Sequence, residues 1–402
     1  MINIKNKRII IGVTGSIAAY KSADLARRLR ESGAEVSVVM TRAACEFITP
    51  LTMQALSGKP VHTELLDASA EAAMGHIELA RWADAILVAP ASANFMARLA
   101  HGLADDLLTT LCLASSVPIL VAPAMNRQMW LNAATRDNAN LLKARGVTLL
   151  GPATGTQACG ETGYGRMQEP AELVEQLYKH FQTDTLAAAK VVVTAGPTRE
   201  DIDPVRFISN RSSGRMGYAV ARAAAEAGAA VVLVSGPTAL DAPDRVELRM
   251  VGTAQQMYAA VMDEVNDTDV LIATAAVADY RCRSISPGKI KKSAPDLTLS
   301  LEKTPDILAA VASLPRRPFT VGFAAETDNL VANARQKLVD KNLDMIAANA
   351  VGLGLGFETE QNQLEVLWQG GGTSLELASK DKLARQLIRI VADRLYEKNQ
   401  AH

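Results

Sequence analysis

KRIIIGVTGSIAAYKSADLARRLRESGAEVSVVMT, residues 7–41, decides the architecture. An apolar, β-branched run meets a Gly/Ser turn at 15–16. A stretch of helical periodicity follows, closes on Ser32-Gly33, and gives way to a second apolar run. Strand, glycine turn, helix and strand in that order open a parallel α/β sheet. The plan returns in KVVVTAGPTRE (190–200), which continues after an insertion as SSGRMGYAVARAAAEAGAAVVLVSGPT (212–238). Between the two units, HFQTDTLAAAK (180–190) has no strong periodicity and reads as a linker. The expected domains are therefore 1–185 and 186–402.

Other apolar runs fit strands covered on both faces: AILVAPAS (85–92) and PILVAPAMN (118–126) in the first half, VLIATAAVAD (270–279), FTVGFAAET (319–327) and DMIAANAV (344–351) in the second. LEVLWQGGGTSLEL (364–377) reads as a hairpin, with a last helix beginning near Ser379. In open parallel sheets ligands sit beyond the carboxyl ends of the strands. In the first half those ends carry Gly15-Ser16, Thr41, Ser92-Ala93-Asn94 and Pro123-Ala124-Met125-Asn126, small or hydrogen-bonding residues that belong on one rim.

The chain has 402 residues, 49% hydrophobic and 21% charged, with a formal net charge of −1. That balance carries no global basic field for nucleic acid or an anionic membrane, so any phosphate site must be local. The four cysteines, Cys45, Cys112, Cys159 and Cys282, form no CxxC pair and no zinc spacing, a pattern suited to a reducing compartment. No apolar stretch reaches the roughly 20 residues of a membrane helix, and a cytoplasmic location is expected.

GVTGSIAA lets a backbone approach a phosphate at a helix N-terminus. A dinucleotide site would add G-x-G-x-x-G and an acidic residue ending the next strand. Here that strand ends Val39-Met40-Thr41-Arg42, so NAD is disfavoured and a mononucleotide phosphate such as that of FMN fits better. QACGETGYGRM (157–167) sets Cys159 among three glycines, which reads as a mobile flap with an accessible thiol. Cys45 and Cys112 read as packing residues on helices, Cys282 as a surface or loop residue.

GSIAAYK (15–21), AAMGHIELARWAD (72–84), APASANF (89–95), PAMN (123–126) and ACGETGYGRM (158–167) together resemble the flavin-dependent cysteine decarboxylases. More narrowly, they resemble the decarboxylase half of the bacterial bifunctional phosphopantothenoylcysteine decarboxylase/phosphopantothenate–cysteine ligases. The resemblance implies an FMN that oxidises the substrate thiol, so that the thioaldehyde loses carbon dioxide and the enethiolate is reduced again. It implies FMN contacts at Gly15, Ser16, Ile17, Thr41, Ser92, Asn94 and Met125. It makes His76 the active-site histidine, Asn126 the contact of the substrate carboxylate, and Cys159 the final proton donor. The chemistry agrees: an amide holds a carboxylate without adding charge, and a thiol of pKa about 8.5 can serve as an acid at neutral pH.

In the second half, the long insertion TAGPTREDIDPVRFISNRSSGRMG (194–217) brings Arg206, Arg211 and Arg215 to an anion-binding surface. KIKK (289–292) is a second cationic cluster, and Lys337 and Lys341 lie one helical turn apart. TAGPTRE, ISNRSSGRMG, ATAAVADY (273–280), KIKK, TPDIL (304–308), GFAAET (322–327) and KNLD (341–344) resemble the CTP-using bacterial phosphopantothenate–cysteine ligases. That resemblance implies an acyl-cytidylate which the amine of cysteine resolves. It places Ala273, Thr274, Ala275, Asp279, Lys289, Pro305, Asp306, Ile307, Leu308, Phe323, Lys337 and Lys341 around CTP. Asn210 falls on the acyl intermediate and Arg206 near the acid substrate. Mg2+ would bridge the triphosphate, with no dense carboxylate cluster to mark its site.

The expected fold is thus α/β in two domains: a flavodoxin-like or Rossmann-like parallel-sheet flavoprotein domain, then a Rossmann-like ligase domain with a C-terminal antiparallel hairpin. Small-molecule substrates are the expected partners, with no nucleic acid or membrane. The resemblance implies trimers of the first half and dimers of the second, hence a homo-oligomer such as a dodecamer. A non-catalytic regulatory flavoprotein binding protein partners, and a flavodoxin-type electron carrier, are the alternatives; an intact flap thiol and ligase half speak against the first, and the second predicts no substrate pocket and no second nucleotide site, which CTP binding tests.

Overall fold

The computed structural model describes residues 4–65, 75–158, 160–291, 297–326, 328–350 and 361–400. The chain divides into two compact units, Met1–Phe181 and Gln182–His402.

In the first unit, strands β1 (Arg8–Val13), β2 (Glu35–Met40), β3 (Val61–His62), β4 (Ala85–Ala91), β5 (Ile119–Pro123) and β6 (Thr148–Leu149) form one parallel sheet. Its order is β3-β2-β1-β4-β5-β6. Successive side chains of a strand point to opposite faces, and β1 shows the result. Ile9, Ile11 and Val13 pack with Leu25, Ala26 and Leu29 of the helix Ala19–Glu31, whereas Ile10 packs with Phe95, Met96 and Leu108 on the other face. Two covered faces explain a strand without a polar side chain after Arg8. Each buried Leu or Ile contributes about 1.5–3 kcal/mol. Two further strands, β7 (Ala153–Thr156) and β8 (Thr162–Arg166), pair only with each other as an antiparallel hairpin.

The second unit begins with β9 (Lys190–Ala195). The insertion after it folds as a small hairpin of β10 (Arg199–Asp201) and β11 (Phe207–Ser209). There follow β12 (Ala230–Ser235), β13 (Val246–Met250) and β14 (Val270–Ala273), then the pair β15 (Tyr280–Cys282) and β16 (Leu301–Lys303). The chain closes with β17 (Phe319–Glu326), β18 (Met345–Ala350), β19 (Gln361–Trp368) and β20 (Gly371–Ser379). The main sheet runs β13-β12-β9-β14-β17-β18-β19-β20, parallel up to β18 and antiparallel from there. The first six strands, β13 to β18 in sheet order, repeat the winding of the first unit. Val191, Val193 and Ala195 face the helices Arg215–Glu226 and Lys380–Gln400, while Val192 faces Met257 and Val261.

The α/β expectation holds in both units, including the terminal hairpin. Its turn is Gln369-Gly370, so two of the three glycines belong to β20. The segment read as a plain linker is partly core: Leu186, 2% exposed, packs against the second unit's sheet. Cys45 and Cys112 sit on helices as expected, and burial pushes the Cys112 thiol up to about 12, with Asp106 adding to it, which leaves it inert. The reading of Cys282 as a surface or loop residue is wrong. It is buried, pairs with Leu301 across β15 and β16, and faces inward because strand side chains alternate even among the polar residues of RCRS. No helix among the described residues is long and apolar enough to cross a membrane.

Candidate active sites

The order of the first sheet reverses between β1 and β4, which opens a crevice at their carboxyl ends. Gly15, Ser16 and Ile17 follow β1, Thr41 follows β2, Ser92 and Asn94 follow β4, and Met125 and Asn126 follow β5. Since these strands are parallel, all eight lie on one rim. Buried Thr14 ties two of the ends together: its hydroxyl donates to the Pro90 carbonyl at 2.8 Å and accepts from the Ser92 N–H at 2.9 Å. Thr41 and Ser92 each cap a short helix through the hydroxyl. The helix Ala19–Glu31 begins at Ala18 without any side-chain cap. A Cβ on Gly15 would stand 2.6 Å from that of Ala43, so only glycine fits where the turn passes so close to the next segment.

The hairpin β7–β8 docks on this rim. The Met125 N–H donates to the Gly165 carbonyl at 2.9 Å, and the Arg127 N–H donates to Gln157 Oε1 at 3.0 Å. Gly165 has φ +133°, and a Cβ there would meet the Met125 carbonyl and come within 2.7 Å of the Gln157 amide. Asn126 Nδ2 donates to Glu161 Oε2 at 3.0 Å, so a carboxylate of the chain itself rests on the amide singled out as a carboxylate contact. Lys21, 5% exposed, holds the far side of the hairpin: its ammonium donates to the Met167 carbonyl at 3.1 Å and pairs with Glu169 at 2.8 Å. That hydrogen bond is the main reason the Glu169 carboxyl lies below its usual range. Cys159 lies outside the described residues. His76 is half-buried in the first turn of the helix Gly75–Trp82, and no hydrogen bond or ion pair among the described residues joins it to the rim.

The second unit repeats the crevice between β9 and β14. A cleft of about 470 Å³ opens beside it, over the carboxyl ends of β14 and β17, lined by Ala273, Ala275, Asp279, Pro305, Asp306, Ile307, Leu308, Phe323, Lys337 and Lys341, ten of the twelve residues expected around CTP. Thr274 is turned into the structure, its hydroxyl donating to the Thr194 carbonyl. Lys289 is exposed and does not line the cleft. Asp306 caps the helix Ile307–Ala312 by accepting from the Ala309 N–H at 3.1 Å, and pairs with Lys341 at 2.9 Å. Burial would raise its pKa, yet the Ala309 N–H and the Lys341 ammonium together hold it below the usual range. Burial, and secondarily the charge of Lys341, push the Lys337 ammonium below the ordinary lysine value. The cleft thus combines two lysines with apolar side chains such as Ile307, Leu308 and Phe323.

Asn210 Nδ2 donates to the carbonyls of Ala276 and Val277 at 3.1 and 3.2 Å, beside the β14 loop. Arg206 is half-buried and donates to the Ile290 carbonyl at 3.2 Å. Thr194, Val277, Tyr280, Lys303 and Thr304 also line the cleft and were not singled out in the sequence. Four of them stand inside the quoted motifs TAGPTRE, ATAAVADY and TPDIL, and Lys303 directly precedes TPDIL, so proximity to a motif was the available signal.

The two units fall into two families. Residues 2–182 match the Flavoprotein family, and residues 186–395 match the DNA/pantothenate metabolism flavoprotein C-terminal domain. Among curated relatives, the coenzyme A biosynthesis bifunctional protein CoaBC of Vibrio cholerae serotype O1 is 53% identical over 98% of this chain and 100% of its own length. That of Escherichia coli (strain K12) is 50% identical over 99% of each. A crystal structure of the C-terminal domain of a coenzyme A biosynthesis bifunctional protein CoaBC is 39% identical, with a TM-score of 0.47, covering 54% of this chain and all of that one. This chain belongs to the family of bifunctional coenzyme A biosynthesis proteins, in which a flavoprotein decarboxylase unit precedes a ligase unit.

Proposed function

We propose that residues 186–402 join cysteine to 4'-phosphopantothenate through an acyl-cytidylate made from CTP, and that residues 1–185 decarboxylate the product to 4'-phosphopantetheine with FMN. The observation that carries the ligase reading is the cleft over the carboxyl ends of β14 and β17, where segments far apart in sequence converge with Lys337 and Lys341. The phosphopantothenate carboxylate attacks the α-phosphate of CTP, and pyrophosphate leaves. Lys337, Lys341 and Lys289 offset the phosphate charge, the need common to nucleotidyl transfers. Arg206 holds the acid substrate and Asn210 the acyl intermediate until the amine of cysteine displaces CMP. Among the described residues no three His, Cys, Asp or Glu side chains form a metal cluster. Mg2+ would be brought by CTP and would offset the triphosphate charge.

The first unit's rim fits FMN: Gly15 permits close backbone approach, the helix start carries no side-chain cap, and no carboxylate ends β2 to hold a second ribose. Gly15, Ser16, Ile17, Thr41, Ser92, Asn94 and Met125 would hold it, and when bound it supplies the two-electron sink that makes the substrate carboxylate labile. Asn126 takes the substrate carboxylate in place of Glu161. Cys159 then gives a proton to the enethiolate carbon, and His76 is assigned to the same site. The subunits assemble as trimers through the first unit and dimers through the second, a dodecamer overall, in the cytoplasm. The test of the cofactor reading is the absorption spectrum of gently isolated protein: a yellow chromophore released as FMN is expected. A colourless protein that FMN does not turn yellow overturns it.

A further inference from the structure

Asp203 lies where two cation-bearing segments of the ligase unit meet. Its residue is 1% exposed, in the turn DIDPVR (201–206) of the long insertion. Oδ1 accepts from the backbone N–H groups of Val205 at 2.8 Å and Arg206 at 2.9 Å. Oδ2 accepts from the Ile290 N–H at 3.1 Å and lies 3.7 Å from Arg206 Nη1. Two more ties run alongside: Arg206 Nη2 donates to the Ile290 carbonyl at 3.2 Å, and the Ser286 N–H donates to the Ile202 carbonyl at 3.0 Å. Burial alone would raise the carboxyl's pKa, but the three N–H groups, with Arg206, hold it below the usual range. One charged side chain therefore joins the turn 202–206 to the segment 286–290. The first carries Arg206; the second carries Lys289, next to Ile290.

We propose that Asp203 is a positioning residue for acyl-cytidylate formation, the clasp that fixes Arg206 and Lys289 relative to each other. The inference deepens the ligase reading above and rests on it. In that step a carboxylate oxygen of the acid forms a bond to the α-phosphorus of CTP while the bond to the pyrophosphate oxygen breaks, so an anion approaches a polyanion. Cations on separate loops assist only if their separation is set beforehand. Asp203 touches neither reactant; it sets where the two cations stand.

Two substitutions in the full-length protein test this. In Asp203→Asn the remaining oxygen stays with the two N–H groups of the turn, so the amide NH2 faces the Ile290 N–H, donor against donor. Asp203→Ser keeps an acceptor for the turn and is too short to reach Ile290. Both variants are expected to slow pyrophosphate release at least about tenfold, the order of loss when a group that assists the reaction is misplaced. Decarboxylation of supplied phosphopantothenoylcysteine stays unchanged. Hydrogen exchange accelerates at the Ile290 amide and not in β9. Added to Lys289→Gln, Asp203→Asn costs under about threefold more, as coupled neighbours do. Wild-type pyrophosphate release in both variants, losses that multiply with that of Lys289→Gln, or exchange that accelerates through β9 would each overturn the proposal. Should Lys289→Gln and Arg206→Gln themselves release pyrophosphate at the wild-type rate, the ligase-site reading fails instead; the Ile290 exchange separates that failure from loss of the clasp.

Discussion

At the scale of single residues, the account assigns separable roles that kinetics can divide. Lys289→Gln is expected to lower pyrophosphate release by about two orders of magnitude, the loss usual when a donor to developing charge is removed. Asn210→Asp is expected to release pyrophosphate and form little amide; equal losses in both steps would contradict the division. Cys159→Ala should still release carbon dioxide and yield no phosphopantetheine, whereas a normal yield refutes the proton-donor role. Lys337 makes a pH prediction. Its ammonium pKa is lowered, by burial first, so the charge that attracts phosphate is present below that pKa and lost as pH rises through it. CTP affinity should therefore fall with rising pH before the ordinary lysine range of about 10.4 is reached, and Lys337→Arg should flatten the calorimetric profile. The residues proposed for the chemistry could be named from the sequence because motifs name residue types directly. Asp203, Lys21 and Glu161 were not, because each acts by touching segments remote in sequence, Asp203 reaching Ile290 and Lys21 reaching Glu169.

At the scale of elements, the rim depends on how β7–β8 docks. Gly165→Ala places a Cβ against the Met125 carbonyl at φ +133°, so the substitution should destabilise the first unit by about 1–3 kcal/mol, the range for strained backbone. Thermal unfolding of the flavin-loaded protein checks it, and an unchanged midpoint would mean that the hairpin does not depend on this contact. Strands β1, β2, β4 and β5 were readable from unbroken apolar runs with a glycine turn between them. The hairpin β7–β8 was not, since its Thr and Gly residues carry no apolar alternation and its register is set by tertiary contacts with Met125 and Arg127. Cys282 was misplaced for the same reason: β15 is three residues long and shows no period to read.

At the scale of the whole molecule, two units of the same winding put their crevices at the same topological position, β1/β4 in one and β9/β14 in the other. That repetition was visible in the two glycine turns, although only the second sheet is extended, by the antiparallel strands β19 and β20. The linker escaped correct reading because Leu186 is a single apolar residue, and only the folded core reveals that it is buried. The central claim is that one chain performs both steps in sequence. The direct measurement is mass spectrometry of purified protein incubated with 4'-phosphopantothenate, cysteine, CTP and Mg2+. The account predicts CMP and pyrophosphate in step with the cysteine amide, followed by its conversion to the decarboxylated thiol. An amide formed without CMP, or one that persists without losing carbon dioxide while flavin is bound, would contradict it.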